Sequence, residues 1–146
     1  MVNTQISFEL KNNLSELDTL EEKLNQFCSR IGLVNRCLCE INLVLEELFT
    51  NTISYGYDDE AEHWITFKLS YQNGTIRVEI EDDGAPFNPI EAKEPDIECA
   101  LEERRIGGLG IHLTKKIMDE MVHRRIGDKN ILILKKELTD SPLKDT

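Results

Sequence analysis

Asn73-Gly74 stands between two runs in which apolar and polar residues alternate: Ile65, Phe67, Leu69 and Tyr71 before it, Ile76, Val78 and Ile80 after it. Both turn residues tolerate positive φ, which makes the pair the strongest short hairpin signal a sequence can carry. Period-two alternation buries one face of each strand, so Trp64–Tyr71 and Thr75–Asp82 demand a second layer to cover them. Asp82 continues the parity of Ile76, Val78 and Ile80, which points its carboxylate at the interior. A strand that stopped at Glu81 would instead leave it in water. A buried carboxylate is costly without donors, so an inward Asp82 needs a partner.

The covering layer is legible at helical spacing. Leu17, Leu20, Leu24, Phe27 and Ile31 form one apolar stripe, opened by a Ser15/Asp18 cap and closed by Gly32. Val34, Leu38, Ile41, Leu45, Leu48 and Thr52/Ile53 form a second, on a helix that begins near Asn35 and ends at Gly56, a position expected to be left-handed. Gln5 to Leu10 alternates and reads as a first strand. A third helix is predicted from about Ile111 to Met121, with Leu113, Ile117 and Met121 inward. Val122–Ile126 and Ile131–Leu138 then make a closing hairpin around Gly127-Asp128-Lys129-Asn130. Ile131 to Leu134 is apolar on both parities, which suits a strand covered on both sides.

A chain of 146 residues holds one domain, expected over 1–139, with a polar tail at 140–146. The formal charge of −11 argues against nucleic acid as a partner. A phosphate ligand would need local help from backbone N–H groups, a divalent cation and a few basic residues. No apolar run approaches membrane-spanning length and Met1–Leu10 has no signal-peptide pattern, so no membrane association is expected and the location expected is cytoplasmic. Cys28, Cys37, Cys39 and Cys99 lack metal-ligand spacing, and reduced thiols are expected.

Three stretches carry chemistry. Glu47 and Asn51 are four residues apart on the second helix, one turn above the other on a single edge. Asp82 is followed by Gly84, and the segment 88–106 reads as a lid. Gly107-Gly108-Leu109-Gly110 opens a helix, where bare backbone and unpaired N–H groups suit an anion; Arg104, Arg105, Lys115 and Lys116 supply local positive charge. A plain tight loop would look the same.

Taken in order, these boxes resemble the GHKL superfamily of ATP-binding domains, and are most similar to the small bacterial anti-sigma-factor serine kinases. The resemblance spans nearly the whole chain. It implies an α/β fold, a two-layer sandwich in which a mixed, mostly antiparallel sheet packs on helices. Asp82 would accept the exocyclic amine of adenine, with Gly84 letting the backbone pass close. Asn51 would hold Mg²⁺, while Phe87, Arg105, Gly107, Gly108, Leu109, Gly110 and Ile111 would complete the ATP site. Glu47 would be the general base, with Glu46 a rival turned about 100° away from Asn51. The implied partners are a sigma factor and a phosphorylatable anti-anti-sigma protein of the STAS type, and relatives of this kind pair as homodimers. The implied reaction is transfer of the ATP γ-phosphate to a serine or threonine; the alternative is a non-catalytic, ATP-dependent partner switch. Tyr55 stands where the family often has histidine.

Overall fold

The computed structural model describes residues 4–33, 36–89 and 108–138. Five strands, β1 (Thr4–Lys11), β2 (Trp64–Gln72), β3 (Thr75–Asp82), β4 (Glu120–Ile126) and β5 (Lys129–Glu137), form one sheet in the order β1-β2-β3-β5-β4. All four pairings are antiparallel. β5 is interior, between β3 and β4, and β3 holds the middle position. The helices are α1 (Leu17–Ile31), α2 (Arg36–Gly56) and α3 (Gly108–Ile117). Asn73 and Gly74 adopt φ of 52° and 79° at the β2–β3 turn, the positive values that the sequence leads one to expect there.

The core lies between one face of the sheet and the helices. β3 alternates without a break: Ile76, Val78, Ile80 and Asp82 are buried and the residues between them are not. Leu20, Leu24 and Phe27 of α1 and Ile41, Val44, Leu45, Leu48 and Phe49 of α2 meet that face. Phe67 of β2 joins the layers, with its ring centroid 5.2 Å from Phe8 and 5.9 Å from Phe49. Truncating a buried phenylalanine of this kind costs about 3–5 kcal/mol. Leu132 and Leu134 of β5 point into the core, whereas Ile131 and Ile133 turn to the opposite, half-open face. β5 is therefore covered on one side, not on both.

Local signals and tertiary contacts divide the helix ends between them. Gly32 ends α1 in the left-handed region at φ 76°, as its position implies. At the other end the capping side chain is Asn13, which accepts from the Ser15 N–H at 2.9 Å ahead of a 3-10 turn at Leu14–Glu16. The cap expected of Ser15 is thus supplied two residues earlier, and to the 3-10 turn. α3 stops at Ile117, not at Met121, because β5 intervenes. Lys136 Nζ donates to the Ile117 carbonyl at 2.9 Å and Asp119 Oδ2 accepts from the Glu137 N–H at 2.6 Å. Met121 packs against the core from β4, and Leu113, expected inward, is exposed.

Candidate nucleotide site

A cleft opens between the C-terminal half of α2, the end of β3 and the β4–β5 hairpin. Asn51 and Asp82, 31 residues apart in sequence, line it together with Gly56, Phe87, His123 and Asn130. Asn51 is only 1% exposed, and among the described residues neither its Oδ1 nor its Nδ2 has a hydrogen-bond partner. Buried amides are normally satisfied, because leaving one unmade costs about 1–3 kcal/mol. An amide held in this state against a cleft fits a ligand or cation that completes it.

Asp82 is buried on the parity its strand dictates. Its Oδ1 accepts the Gly84 N–H at 2.9 Å and Asn130 Nδ2 at 3.0 Å. Asn130 faces it directly across the β3–β5 ladder. The same Nδ2 donates to the carbonyls of Ala85 at 2.9 Å and Gly84 at 3.4 Å, and Arg125 Nη1 donates to the Gly84 carbonyl at 2.7 Å. The loop after β3 is thus held from two strands.

From the helix side the loop meets backbone. The Ala85 N–H donates to the Gly56 carbonyl at 2.7 Å, satisfying one of the orphan acceptors at the end of α2. A Cβ on Gly84 would lie 2.7 Å from that carbonyl oxygen and 2.9 Å from the Gly56 Cα. Gly84 is glycine because two backbones touch there. Gly56 is the last residue of α2 and is not among the positive-φ glycines, so the left-handed cap expected of it is replaced by close approach.

Glu47 is half-buried one turn before Asn51, and is not on the cleft wall. Burial, and secondarily the charge of Glu46, raise its pKa above the ordinary carboxylate value. Glu46 is engaged instead by Asn42 Nδ2 at 3.3 Å. Phe87 lines the cleft and stacks on Tyr55, centroids 5.5 Å apart. Gly108, Leu109, Gly110 and Ile111 belong to the first turn of α3, which begins three residues earlier than expected and packs on α2. The first-turn N–H groups of a helix have no intrahelical acceptor. Lys115 and Lys116 fall in its last turn, at the other end from those N–H groups. Arg104, Arg105, Gly107 and the greater part of the expected lid lie outside the described residues.

The sequence profile of the histidine kinase-like ATPase domain matches residues 10–136, from β1 to β5 with every site residue inside. The chain belongs to the histidine kinase-like ATPase family. It is 30% identical over 107 residues to the anti-sigma F factor of Priestia megaterium, covering 71% of this chain and 72% of that one. It is 26% identical over 102 residues to the serine-protein kinase RsbW of Listeria monocytogenes, covering 67% and 65%. Among solved structures, the RsbU and RsbW domains of a Mycobacterium tuberculosis protein align over 92% of this chain and 32% of that one, with a TM-score of 0.64 at 14% identity. A histidine kinase domain of Erythrobacter litoralis aligns over 88% and 62%, with a TM-score of 0.52 at 18% identity. At these identities the structural likeness carries the fold.

In this histidine kinase-like ATPase the wall beyond Asp82 is tied down by groups that motif reading passed over. Tyr57 donates its hydroxyl to Asp83 Oδ1 at 3.1 Å. His63 stacks on Tyr57 at 4.4 Å and places Nδ1 3.2 Å from Asp83 Oδ2 and Nε2 3.0 Å from Asp59. The Asp59 hydrogen bond is the chief cause of a raised His63 pKa; burial opposes it and Asp83 adds to it. Burial pushes the Asp83 carboxyl up, but the bonds from His63 and Tyr57 outweigh it and the net shift is downward. Burial and the neighbouring Asp82 and Asp83 push the Tyr57 phenol well above its ordinary value. Asn130 and His123 share the face of Leu132 and Leu134, a parity that becomes readable only once the last strand is seen to resume at Lys129. Among the described residues no cluster of His, Cys, Asp and Glu could hold a metal, and no helix is long and apolar enough to cross a membrane. Among the described residues Cys28 and Cys39 are free thiols, and burial lifts the Cys28 thiol to about 12.

Proposed function

We propose that this chain is an ATP-dependent serine/threonine protein kinase of the anti-sigma regulatory kind. It would hold a sigma factor and transfer the γ-phosphate of ATP to a small STAS-type antagonist. The observation that carries the reading is the Asn51 amide, unpartnered at both atoms among the described residues and buried against the same cleft as Asp82. Asn51 Oδ1 would be the protein's ligand to Mg²⁺, an ion that needs few such ligands because it keeps waters and takes phosphate oxygens. When bound, the ion would neutralise phosphate charge that this acidic chain opposes.

Asp82 would accept the exocyclic amine of adenine, with Gly84 and Phe87 against the base. Arg105, Gly107 and the first-turn N–H groups of α3 would take the phosphates. Glu47 would accept the proton of the attacking hydroxyl as its oxygen bonds to the γ-phosphorus and ADP leaves. Its raised pKa suits that task, because a base works best when its pKa approaches the working pH. Cytoplasmic location and pairing with a second copy belong to the same proposal. Support for the partners comes from the relatives' names, anti-sigma F factor and serine-protein kinase.

The test is incubation with radiolabelled ATP, Mg²⁺ and a STAS-type protein. Phosphoserine or phosphothreonine on that protein, lost in Glu47→Gln with ATP affinity retained, is expected. ATP binding without phosphoprotein over hours would make the chain a partner switch, and failure to bind ATP·Mg²⁺ at millimolar levels would refute both.

A further inference from the structure

Resting on the assignment of the Asp82 cleft to the nucleobase, we propose that Asn130 is the positioning residue that sets base selectivity, with His123 holding it in place. The Asn130 carboxamide has one permitted orientation. Its Nδ2 faces three oxygens, Asp82 Oδ1, the Ala85 carbonyl and the Gly84 carbonyl, at 3.0, 2.9 and 3.4 Å. Turning the amide over would set its own oxygen against all three. Its Oδ1 then needs donors, and takes the Phe87 N–H at 3.5 Å and His123 Nε2 at 3.2 Å. His123 must carry its proton on Nε2 to serve that acceptor.

The result is a directed chain, His123 to Asn130 to Asp82, ending on a carboxylate whose two oxygens are no longer equivalent. Oδ1 is occupied by Asn130 and the Gly84 N–H. Oδ2 makes no hydrogen bond among the described residues, and it is the oxygen left for a ligand. An ionised carboxylate only accepts. With its plane fixed by Asn130, Asp82 meets the 6-position of a purine as an acceptor in one direction. A 6-amino group completes it, whereas a 6-keto group sets oxygen against oxygen. Without Asn130, the carboxyl group can turn, and the distinction weakens. Asn130 thereby converts a carboxylate that merely attracts donors into one that rejects acceptors.

The experiment measures Kd for ATP and for inosine triphosphate, which differ at that position, on the full chain with Mg²⁺. Wild type should prefer ATP by tenfold or more, since a site built around a hydrogen bond discriminates strongly against its absence. Asn130→Asp keeps the shape and replaces the donor with an acceptor; Asn130→Leu removes both. Each should bring the ratio to within about threefold of unity. A merely structural loss would weaken both nucleotides equally and leave the ratio alone. His123→Phe, at a half-buried ring, should lower the ratio by about threefold and serves if the Asn130 variants fail to fold. Asp82→Asn separates the two readings: wild-type ATP affinity in that variant would overturn the base-site assignment itself. Loss of ATP there, with wild-type ratios in the Asn130 variants or in His123→Phe, would overturn the proposal for Asn130.

Discussion

Gly84 and Gly56 touch, yet alanine should have opposite effects at the two. On Gly84 the new Cβ would stand 2.7 Å from the Gly56 carbonyl oxygen, 2.9 Å from its Cα and 3.0 Å from Asp82 Oδ1. Two of those atoms are backbone at the end of a helix and cannot rotate away. Relief requires the loop to retreat by roughly half an ångström, a small-to-large insertion that costs about 1–3 kcal/mol. The retreat also stretches the 2.7 Å Ala85 N–H to Gly56 bond, and a buried group left unsatisfied adds about 1–3 kcal/mol. Together, Gly84→Ala should lose about 2–6 kcal/mol, or roughly 6–18 °C in Tm for a domain of this size. ATP affinity should fall at least tenfold, because the Gly84 N–H also orients Asp82. On Gly56 the Cβ would meet, among the described residues, the Gly84 Cα at 3.7 Å and Thr52 Cγ2 at 3.9 Å, ordinary contacts. Gly56→Ala should therefore be neutral or gain up to about 1 kcal/mol from helix propensity. Thermal melts and ATP titrations of both variants decide the matter. Equal damage at the two glycines, or a Gly84→Ala protein with wild-type Tm and affinity, would refute the close-approach argument.

Removing the orphan amide should stabilise the nucleotide-free protein: Asn51→Leu is expected to gain about 1–3 kcal/mol in denaturant melts while abolishing ATP·Mg²⁺ binding by calorimetry. Glu47→Gln should also raise Tm, and more at neutral pH than near pH 4. A carboxyl whose folded pKa is raised costs stability only above its unfolded pKa, where the chain must bury charge. His63 has the opposite sense. Its raised pKa adds stability that is complete below its unfolded value, near 6.5, and fades as pH rises through the folded value. His63→Gln should therefore be less stable than wild type at pH 5.5 and converge with it in alkali, and parallel urea curves at the two pH values would contradict that.

The sheet was legible wherever local alternation and turn chemistry agreed. β3 ends at Asp82 and β2 begins at Trp64 as the pattern implies, because Asn73-Gly74 pins the register between them. Asp82 could be placed inward on parity alone. Its partner could not. Gly127, Asp128 and Asn130 favour turns and Lys129 is polar between them, so local reasoning makes the four one loop, whereas the strand resumes at Lys129 and leaves Asn130 buried. Tertiary contacts were invisible for the same reason. The end of α3 depends on Lys136 and Asp119 bonding across to another element, and the conformation of Gly56 on a loop 28 residues away. Asn51 could be picked from its spacing to Glu47, but its isolation inside the fold is a property of packing that spacing does not encode.

The Asp82–Asn130 rung has a bearing on how the chain assembles. It belongs to the same ladder that seats Val78 against Leu134 and Ile80 against Leu132. Sliding the closing hairpin by a single residue would swing both leucines into water and aim the asparagine at the wrong side of the sheet. A misaligned molecule therefore cannot keep Asn130 against Asp82 on a spoiled interior. If the cleft takes the nucleobase as proposed, nucleotide capture would double as proof that the last two strands were threaded correctly.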